Sequence, residues 1–363
     1  LAAAVEGKMG LLLLATALWA AFSLQMVGTT AGVPAIYVFG DSTADVGNNN
    51  YLPGGDQFKA NFPPNGIDYP FSTPTGRFSN GYNGIDFIAK KLGFLQSPPP
   101  YLPIILDAQT FRGVNFASGG SGILDATGQN YSLSMNTQMK YFEGVTRSLK
   151  TRMGASAAAL FLSKSLFAFS TGNNDLIGFF LNSVLQNKAQ GDEFIALLAD
   201  QFRNQLQTLY NLGARKFAVF GLSHLGCLPV LRRLTPSGDC VEVLNEFSQQ
   251  FNGATKLLLL DLASTLKGMS YAFVDAYEIV STVTSNPLEY GFTELKSACC
   301  GAGRFNGESA CTPNVTYCSN RREYFFWDRY HPTQATYKLV AFGGYYGGRN
   351  FSVPISIEQL AES

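Results

Sequence analysis

Three residues of this 363-residue chain have the types and the spacing needed for acyl transfer: Ser42, Asp328 and His331. Ser42 stands in Gly40-Asp41-Ser42-Thr43, directly after the apolar run Ile36-Tyr37-Val38-Phe39, which places it at the end of a strand. A serine hydroxyl attacks an ester efficiently only when a histidine removes its proton and a carboxylate orients that histidine. The chain holds two histidines, His224 and His331, and only His331 has an acid preset beside it by a single turn, Asp328. That spacing lets the carboxylate fold back onto one imidazole nitrogen. The pattern reads as a serine hydrolase. Each half has a plainer reading by itself, Ser42 as a helix N-cap and Asp328 as the cap of the helix that Pro332 opens. Their occurrence together favours chemistry. His224 has no such partner and reads as structural or pocket-lining.

Such residues work only if the backbone brings them together. Five short runs rich in β-branched and aromatic residues, 35–39, 113–116, 166–170, 216–220 and 271–275, each lead through a loop into a helical pattern. The alternation predicts an α/β fold, a three-layer α/β/α sandwich around a central, mainly five-stranded parallel sheet, because near-continuous apolar strands need cover on both faces. Helical spacing recurs over 82–92, 138–152, 192–212, 241–266 and 334–342, with Gly213 placed as a C-cap. Ligands of open parallel sheets sit at the carboxyl ends of the strands. The polar runs Gly40-Asp41-Ser42, Ala117-Ser118-Gly119-Gly120 and Thr171-Gly172-Asn173-Asn174-Asp175 all fall there. Segment 51–80 is aperiodic and carries Phe58, Phe62, Tyr69, Phe71 and Phe78, so it is expected to be an ordered loop beside the site.

Composition narrows the partners. Lys plus Arg and Asp plus Glu both number 26, giving no net field to recruit nucleic acid or an acidic membrane surface. Lys8 precedes the apolar stretch 11–21 and small residues follow at 28–32, the layout of a secretory leader, with Met9 as the expected initiator. A membrane anchor is the rival, but the apolar part falls short of the roughly 20 residues that a span needs. The expected organisation is a leader over 1–32, including the residues upstream of Met9, then a single hydrolase domain over 33–363. The expected location is extracellular or in a cell wall. Six cysteines, Cys227, Cys240, Cys299, Cys300, Cys311 and Cys318, permit three bridges in an oxidising compartment. Cys227 with Cys240 would close a short loop, while Cys299 and Cys300 would pair with Cys311 and Cys318 in an order left open. A zinc site is disfavoured by the absence of a Cys-x-x-Cys pair. Sequons at Asn130, Asn314 and Asn350 suit glycosylation of a secreted chain.

Block by block, the chain resembles the plant branch of the GDSL esterase/lipase family, within the SGNH hydrolases. The likeness is carried by Phe39-Gly-Asp-Ser-Thr-Ala-Asp-Val-Gly-Asn-Asn-Asn50, Pro74-Thr-Gly-Arg-Phe-Ser-Asn80, Val114-Asn-Phe-Ala-Ser-Gly-Gly-Ser-Gly122, Gly172-Asn-Asn-Asp175, Leu225-Gly-Cys-Leu-Pro229, Cys299-Cys-Gly301 and Phe326-Trp-Asp-Arg-Tyr-His-Pro332. One departure is Thr43, which replaces the leucine of the family's name beside the nucleophile. The resemblance implies a flavodoxin-like SGNH hydrolase fold. It implies Ser42 as nucleophile at the start of a helix, with its Oγ at the positive end of the dipole, His331 as general base and Asp328 as its orienting acid. It further implies an oxyanion hole built from the backbone amides of Ser42 and Gly120 and the side chain of Asn174, with Gly119 as an alternative to Gly120. Asp41, Asp45 and Asp175 are read as braces for these loops. No cofactor or metal is implied.

The expected activity is that of a secreted carboxylester hydrolase working through an acyl-enzyme, with a small-molecule or lipid acyl ester favoured as substrate. An acyltransferase, a polysaccharide O-acetyl esterase acting on an acetylated glycan, and a non-catalytic lipid- or glycan-binding protein are the competing readings. No nucleic acid and no stable membrane span are expected, and the chain is expected to be a monomer. A conventional α/β-hydrolase would require Gly-x-Ser-x-Gly at its nucleophile. Gly221-Leu-Ser-His-Leu225 misses that pattern at its last position.

Overall fold

The computed structural model describes residues 32–54, 58–103, 111–182 and 188–363. Its strands are β1 Ile36–Gly40, β2 Gly113–Asn115, β3 Leu166–Ser170, β4 Lys216–Phe220, β5 Ser270–Val274, β6 Glu294–Ala298, β7 Tyr324–Phe326 and β8 Ser352–Pro354. Six of them form one sheet in the order β2-β1-β3-β4-β5-β8. The five expected strands are all there and all parallel, and β8 joins antiparallel on β5 as a sixth. The chain starts in the interior at β1, moves outward to β2 and returns past β1 to β3. The crevice beyond the ends of β1 and β3 is therefore the switch point at which such sheets take ligands.

Side chains alternate between the two faces of a strand. Tyr37, Phe39, Phe167, Phe169, Phe217 and Phe273 enter one core, while Ile36, Val38, Ala168, Ala218, Ala272 and Val274 enter the other. Helices Met135–Met153, Lys188–Leu212 and Glu242–Thr265 supply residues to the aromatic core. Helices Gly84–Lys91, Gln334–Tyr346 and Ile357–Glu362 supply the small-residue core. The result is the three-layer α/β/α sandwich. On the aromatic side Phe39 stacks between Phe116 and Phe169, each at 5.2 Å between ring centroids, so β1 is wedged between β2 and β3.

A second, two-stranded sheet of β6 and β7 lies outside this sandwich. Cys299–Cys318 and Cys300–Cys311 cross-link it, resolving the order that the sequence left open, and Cys227 pairs with Cys240 as expected. All six cysteines are oxidised, which leaves no thiolate for a zinc ion. Helix Gln334–Tyr346 is capped by Thr333, whose side chain accepts from the Thr336 amide. Pro332 therefore precedes the cap and does not open the helix, and Asp328 is not its cap. Residues 1–31, nearly all of the expected leader, lie outside the described residues. Among the described residues no helix is long and apolar enough to cross a membrane.

Candidate active site

β1 ends on Gly40, whose φ of +143° and closeness to the Ser170 carbonyl leave no room for a Cβ. Both backbone groups of Gly40 are held by one buried side chain. Its amide donates to Gln138 Oε1 at 2.9 Å, and its carbonyl accepts from Gln138 Nε2 at 2.9 Å. The chain does not then enter a helix, contrary to the expectation for Ser42. Asp41 Oδ1 accepts from the Thr43 amide at 2.9 Å and the Thr43 hydroxyl at 2.6 Å. Asp45 accepts from the amides of Gly47, Asn48 and Gly119 at 2.7, 2.8 and 3.1 Å. These carboxylates hold the backbone in a single turn, closed by the Asp45 amide on the Asp41 carbonyl at 3.0 Å, and the first helix, one 3-10 turn, comes only at Asn48–Tyr51. Ser42 does not begin a helix of its own. Burial pushes the Asp41 carboxyl up, against the hydrogen bonds it receives from Asn173 and Thr43.

His331 reaches the same point from the other side. Trp327 and Asp328 donate their amides to the His331 carbonyl at 2.8 and 3.3 Å, closing a tight turn. Asp328 Oδ1 accepts from the amides of Tyr330 and His331 at 2.8 and 2.9 Å. Asp328 Oδ1 and Oδ2 also lie 2.9 and 2.8 Å from His331 Nδ1, and His331 Nε2 lies 2.8 Å from Ser42 Oγ. Burial alone would raise the Asp328 carboxyl, but the His331 ring and these hydrogen bonds outweigh it and hold the group below the usual carboxylate range. Ser42, Asp328 and His331 are all at least nine-tenths buried.

The remaining expected residues face the same space. A cavity of about 1100 Å³ is lined by Ser42, Gly120, Asn174 and His331, while Asp328 stands behind the imidazole and does not line it. The Gly119 amide is taken by Asp45. Neither the Ser42 amide nor the Gly120 amide meets an acceptor among the described residues, so of the two glycines Gly120 is the one with a donor free. Asn174, in the first turn of helix Asn173–Asn182, uses one amide proton on the Ser121 carbonyl at 2.9 Å. Asp175 accepts from the amides of Ile123 and Leu124 at 2.8 and 3.1 Å and from the Thr127 hydroxyl at 2.7 Å. Asp41, Asp45 and Asp175 thus brace the three motif loops.

The model of the GDSL-like lipase/acylhydrolase family matches residues 36–342, a span that begins at β1 and runs beyond His331. The chain belongs to that family. Two GDSL esterase/lipases of Arabidopsis thaliana are each 38% identical to it, one over 348 residues covering 93% of this chain and 92% of the relative, the other over 344 residues covering 93% and 91%. GDSL esterase/lipase 7 of the same plant is 36% identical over 340 residues, covering 91% and 92%. Membership makes this GDSL chain a hydrolase of ester bonds.

Two contributors to the GDSL site were not singled out from the sequence. Asn173 donates to Asp41 Oδ2 at 2.7 Å and so ties the third motif loop to the first. It lies in the motif that drew attention to Asn174, and adjacency was the available signal. Gln138 is fully buried at the end of β1, and a lone glutamine in a helical pattern gives no hint of that. From segment 51–80, Phe58 and Phe78 line the cavity, and Phe78 lies 4.9 Å from the His331 ring. Phe71 of the same segment is fully exposed, so its aromatic character does not serve the site. His224 also lines the cavity, stacked on Tyr277 at 3.7 Å between centroids.

Proposed function

We propose that this chain is a carboxylester hydrolase that works through an acyl-enzyme on Ser42. His331 Nε2 takes the proton from Ser42 Oγ as the oxygen attacks the acyl carbonyl, and Asp328 holds Nδ1–H and balances the charge that forms on the ring. The oxyanion is met by the amides of Ser42 and Gly120 and by the side chain of Asn174. Collapse of the tetrahedral species expels the alcohol, which takes the proton back from His331. Water then attacks the acyl-enzyme with the same imidazole as base, and the acid leaves. The observation that carries this reading is the unbroken contact Ser42 Oγ to His331 Nε2 at 2.8 Å and His331 Nδ1 to Asp328 Oδ2 at 2.8 Å.

Lipid-type acyl esters are the favoured substrates. The cavity volume of about 1100 Å³ is at the upper end for small-molecule sites, and Phe78, Ile177, Phe179 and Phe326 give it apolar walls. Secretion into an extracellular space or cell wall, after removal of residues 1–32 as a leader, is supported by the three disulfides. Residues 33–363 then act as one monomeric hydrolase domain, with Asn130, Asn314 and Asn350 exposed for glycosylation. Hydrolysis of p-nitrophenyl esters of graded acyl length, by the wild type and Ser42→Ala, tests the chemistry and the preference together. The wild type should favour medium or long chains and the variant should be inert. Turnover by Ser42→Ala at the wild-type rate would sink the mechanism, and a preference confined to acetyl esters would sink the lipid assignment.

A further inference from the structure

The proposed oxyanion donors come from three strand ends, and hydrogen bonds join those ends pairwise. The end of β1 meets the loop after β2 where Ser121 Oγ donates to the Gly40 carbonyl at 2.7 Å. That loop meets the helix after β3 where Asn174 Nδ2 donates to the Ser121 carbonyl at 2.9 Å. The third side runs from the helix back to the nucleophile loop, and Asn173 makes it by donating from Nδ2 to Asp41 Oδ2 at 2.7 Å. Ser42 follows Asp41 directly and Asn174 follows Asn173. One side-chain bond thus joins the immediate neighbours of the nucleophile and of the side-chain donor.

Asp41 is fully buried, and its other oxygen takes the Thr43 amide and hydroxyl at 2.9 and 2.6 Å. Donors on both oxygens suit an ionised carboxylate, which makes the bond from Asn173 charge-assisted. The other ties between the two segments stop at the end of β3. The Asp41 amide donates to the Ser170 carbonyl at 3.0 Å, and the Thr43 and Ser170 hydroxyls lie 2.6 Å apart. From Ser170 the chain reaches Asn174 only through Gly172, at φ +101°, the residue type with the most backbone freedom. Asn173 fastens the chain beyond that glycine. It is half-buried and lines the cavity with Ser42 and Asn174.

We propose that Asn173 is a positioning residue for acyl transfer: its bond to Asp41 holds the Asn174 side chain in place relative to Ser42, so that Asn174 meets the oxyanion that forms there. The assignment rests on the ester-hydrolase reading. Asn173→Ala should lower kcat on a short-chain p-nitrophenyl ester by roughly tenfold or more with little change in KM, the scale of loss when a reacting group is slightly misplaced. The same substitution made in Asn174→Ala should cost no more than about threefold, because the donor being positioned is already gone.

Asn173→Asp offers a rescue that follows pH. Its carboxylate would face Asp41 at hydrogen-bond distance, and two such groups do not both stay ionised. Once they share a proton, the bond is restored. The charges of His331 and Asp175 and the Tyr337 hydroxyl also act on or feel Asp41, but they are common to the wild type. The ratio of kcat in Asn173→Asp to kcat in the wild type therefore isolates the new pair, and it should rise severalfold from about pH 8 to about pH 5.5. A raised KM with kcat intact, an equal loss in both backgrounds, a flat ratio in folded Asn173→Asp, or an Asn173→Ala chain that does not fold would each overturn the assignment. A wild type inert on every ester would instead overturn the ester-hydrolase reading, and the positioning role with it.

Discussion

Ser42 and His331 meet at 2.8 Å from segments anchored by different means. The serine arm grows out of the central sheet. β1 is hydrogen-bonded on both sides, its terminal Gly40 is clamped by Gln138, and the turn that follows is tied by buried Asp41 and Asp45. The histidine arm has a smaller scaffold, two strands whose Ala298, Phe325 and Phe326 reach the edge of the aromatic core. It leaves the two-stranded β6/β7 sheet, where Cys299 and Cys300 donate their amides to the carbonyls of Phe326 and Trp327 at 2.9 and 2.7 Å, and two disulfides cross-link the lobe. Trp327, fully buried among these cysteines, donates to Asn65 Oδ1 at 2.9 Å. One arm is rigid because it grows from the middle of a large cooperative core. The other packs Phe292, Ala298, Phe325 and Phe326 against the edge of that same core and adds covalent links where the short lobe has few strands of its own.

The contrast breaks most severely where the histidine arm loses its internal partner. Asp328→Asn should lower kcat by about ten-thousandfold while leaving the fold intact, since the imidazole loses both its orientation and its charge balance. A loss of less than tenfold, measured on a short-chain ester, would mean that the turn alone positions His331. On the serine side, Asn174→Ala should lower kcat by roughly a hundredfold or more with little change in KM, because its donor acts mainly in the transition state. An unchanged kcat would return Asn174 to a loop-fastening role through Ser121.

A smaller effect separates the two arms by stability. Replacing Cys300 and Cys311 together by serine should remove on the order of 2–4 kcal/mol, and the loss should fall first on the β6/β7 lobe. On heating, esterase activity should vanish before the far-UV signal of the sandwich changes. Activity and ellipticity melting together would show that the lobe is no separate unit.

The smallest effect lies outside both arms. Burial lowers His224 from 6.5 to about 4, so the unfolded chain binds a proton across that interval that the folded chain does not. The stability tied to His224 is full above pH 6.5 and is lost as the pH falls toward 4. From pH 7 to pH 4.5 the melting temperature of the wild type should fall a few degrees further than that of His224→Phe. Equal falls would place the imidazole in a better solvated setting.

The serine arm was the more legible of the two. β1 to β5 announce themselves as apolar runs because strands buried on both faces need no polar alternation. Gly40-Asp41-Ser42 follows the first of them directly. β8 was hidden because Ser352–Pro354 is three residues long and contains a proline, a residue that sheets tolerate only at an edge such as this one. β6 reads Glu-Leu-Lys-Ser-Ala, too polar and too short to stand out. The residues Asp328 and His331 were plain from their spacing, but the lobe that holds them depends on disulfide order, which spacing alone does not determine. The expected helix at Ser42 failed because a local competition was not weighed. Asp41 and Asp45 bond neighbouring amides and favour turns over helix at this point.

The central claim is that Ser42 is activated by His331 and carries the acyl group. Inactivation by an alkyl phosphonate ester, followed by peptide mass spectrometry, tests it most directly, because the reagent bonds only to a nucleophile whose proton is being removed. One phosphonyl group per chain on the peptide containing Ser42, with inactivation keeping pace and no labelling in His331→Gln, is the predicted result. Full inactivation with the adduct on any other residue, or equal labelling of Ser42 in His331→Gln, would contradict it.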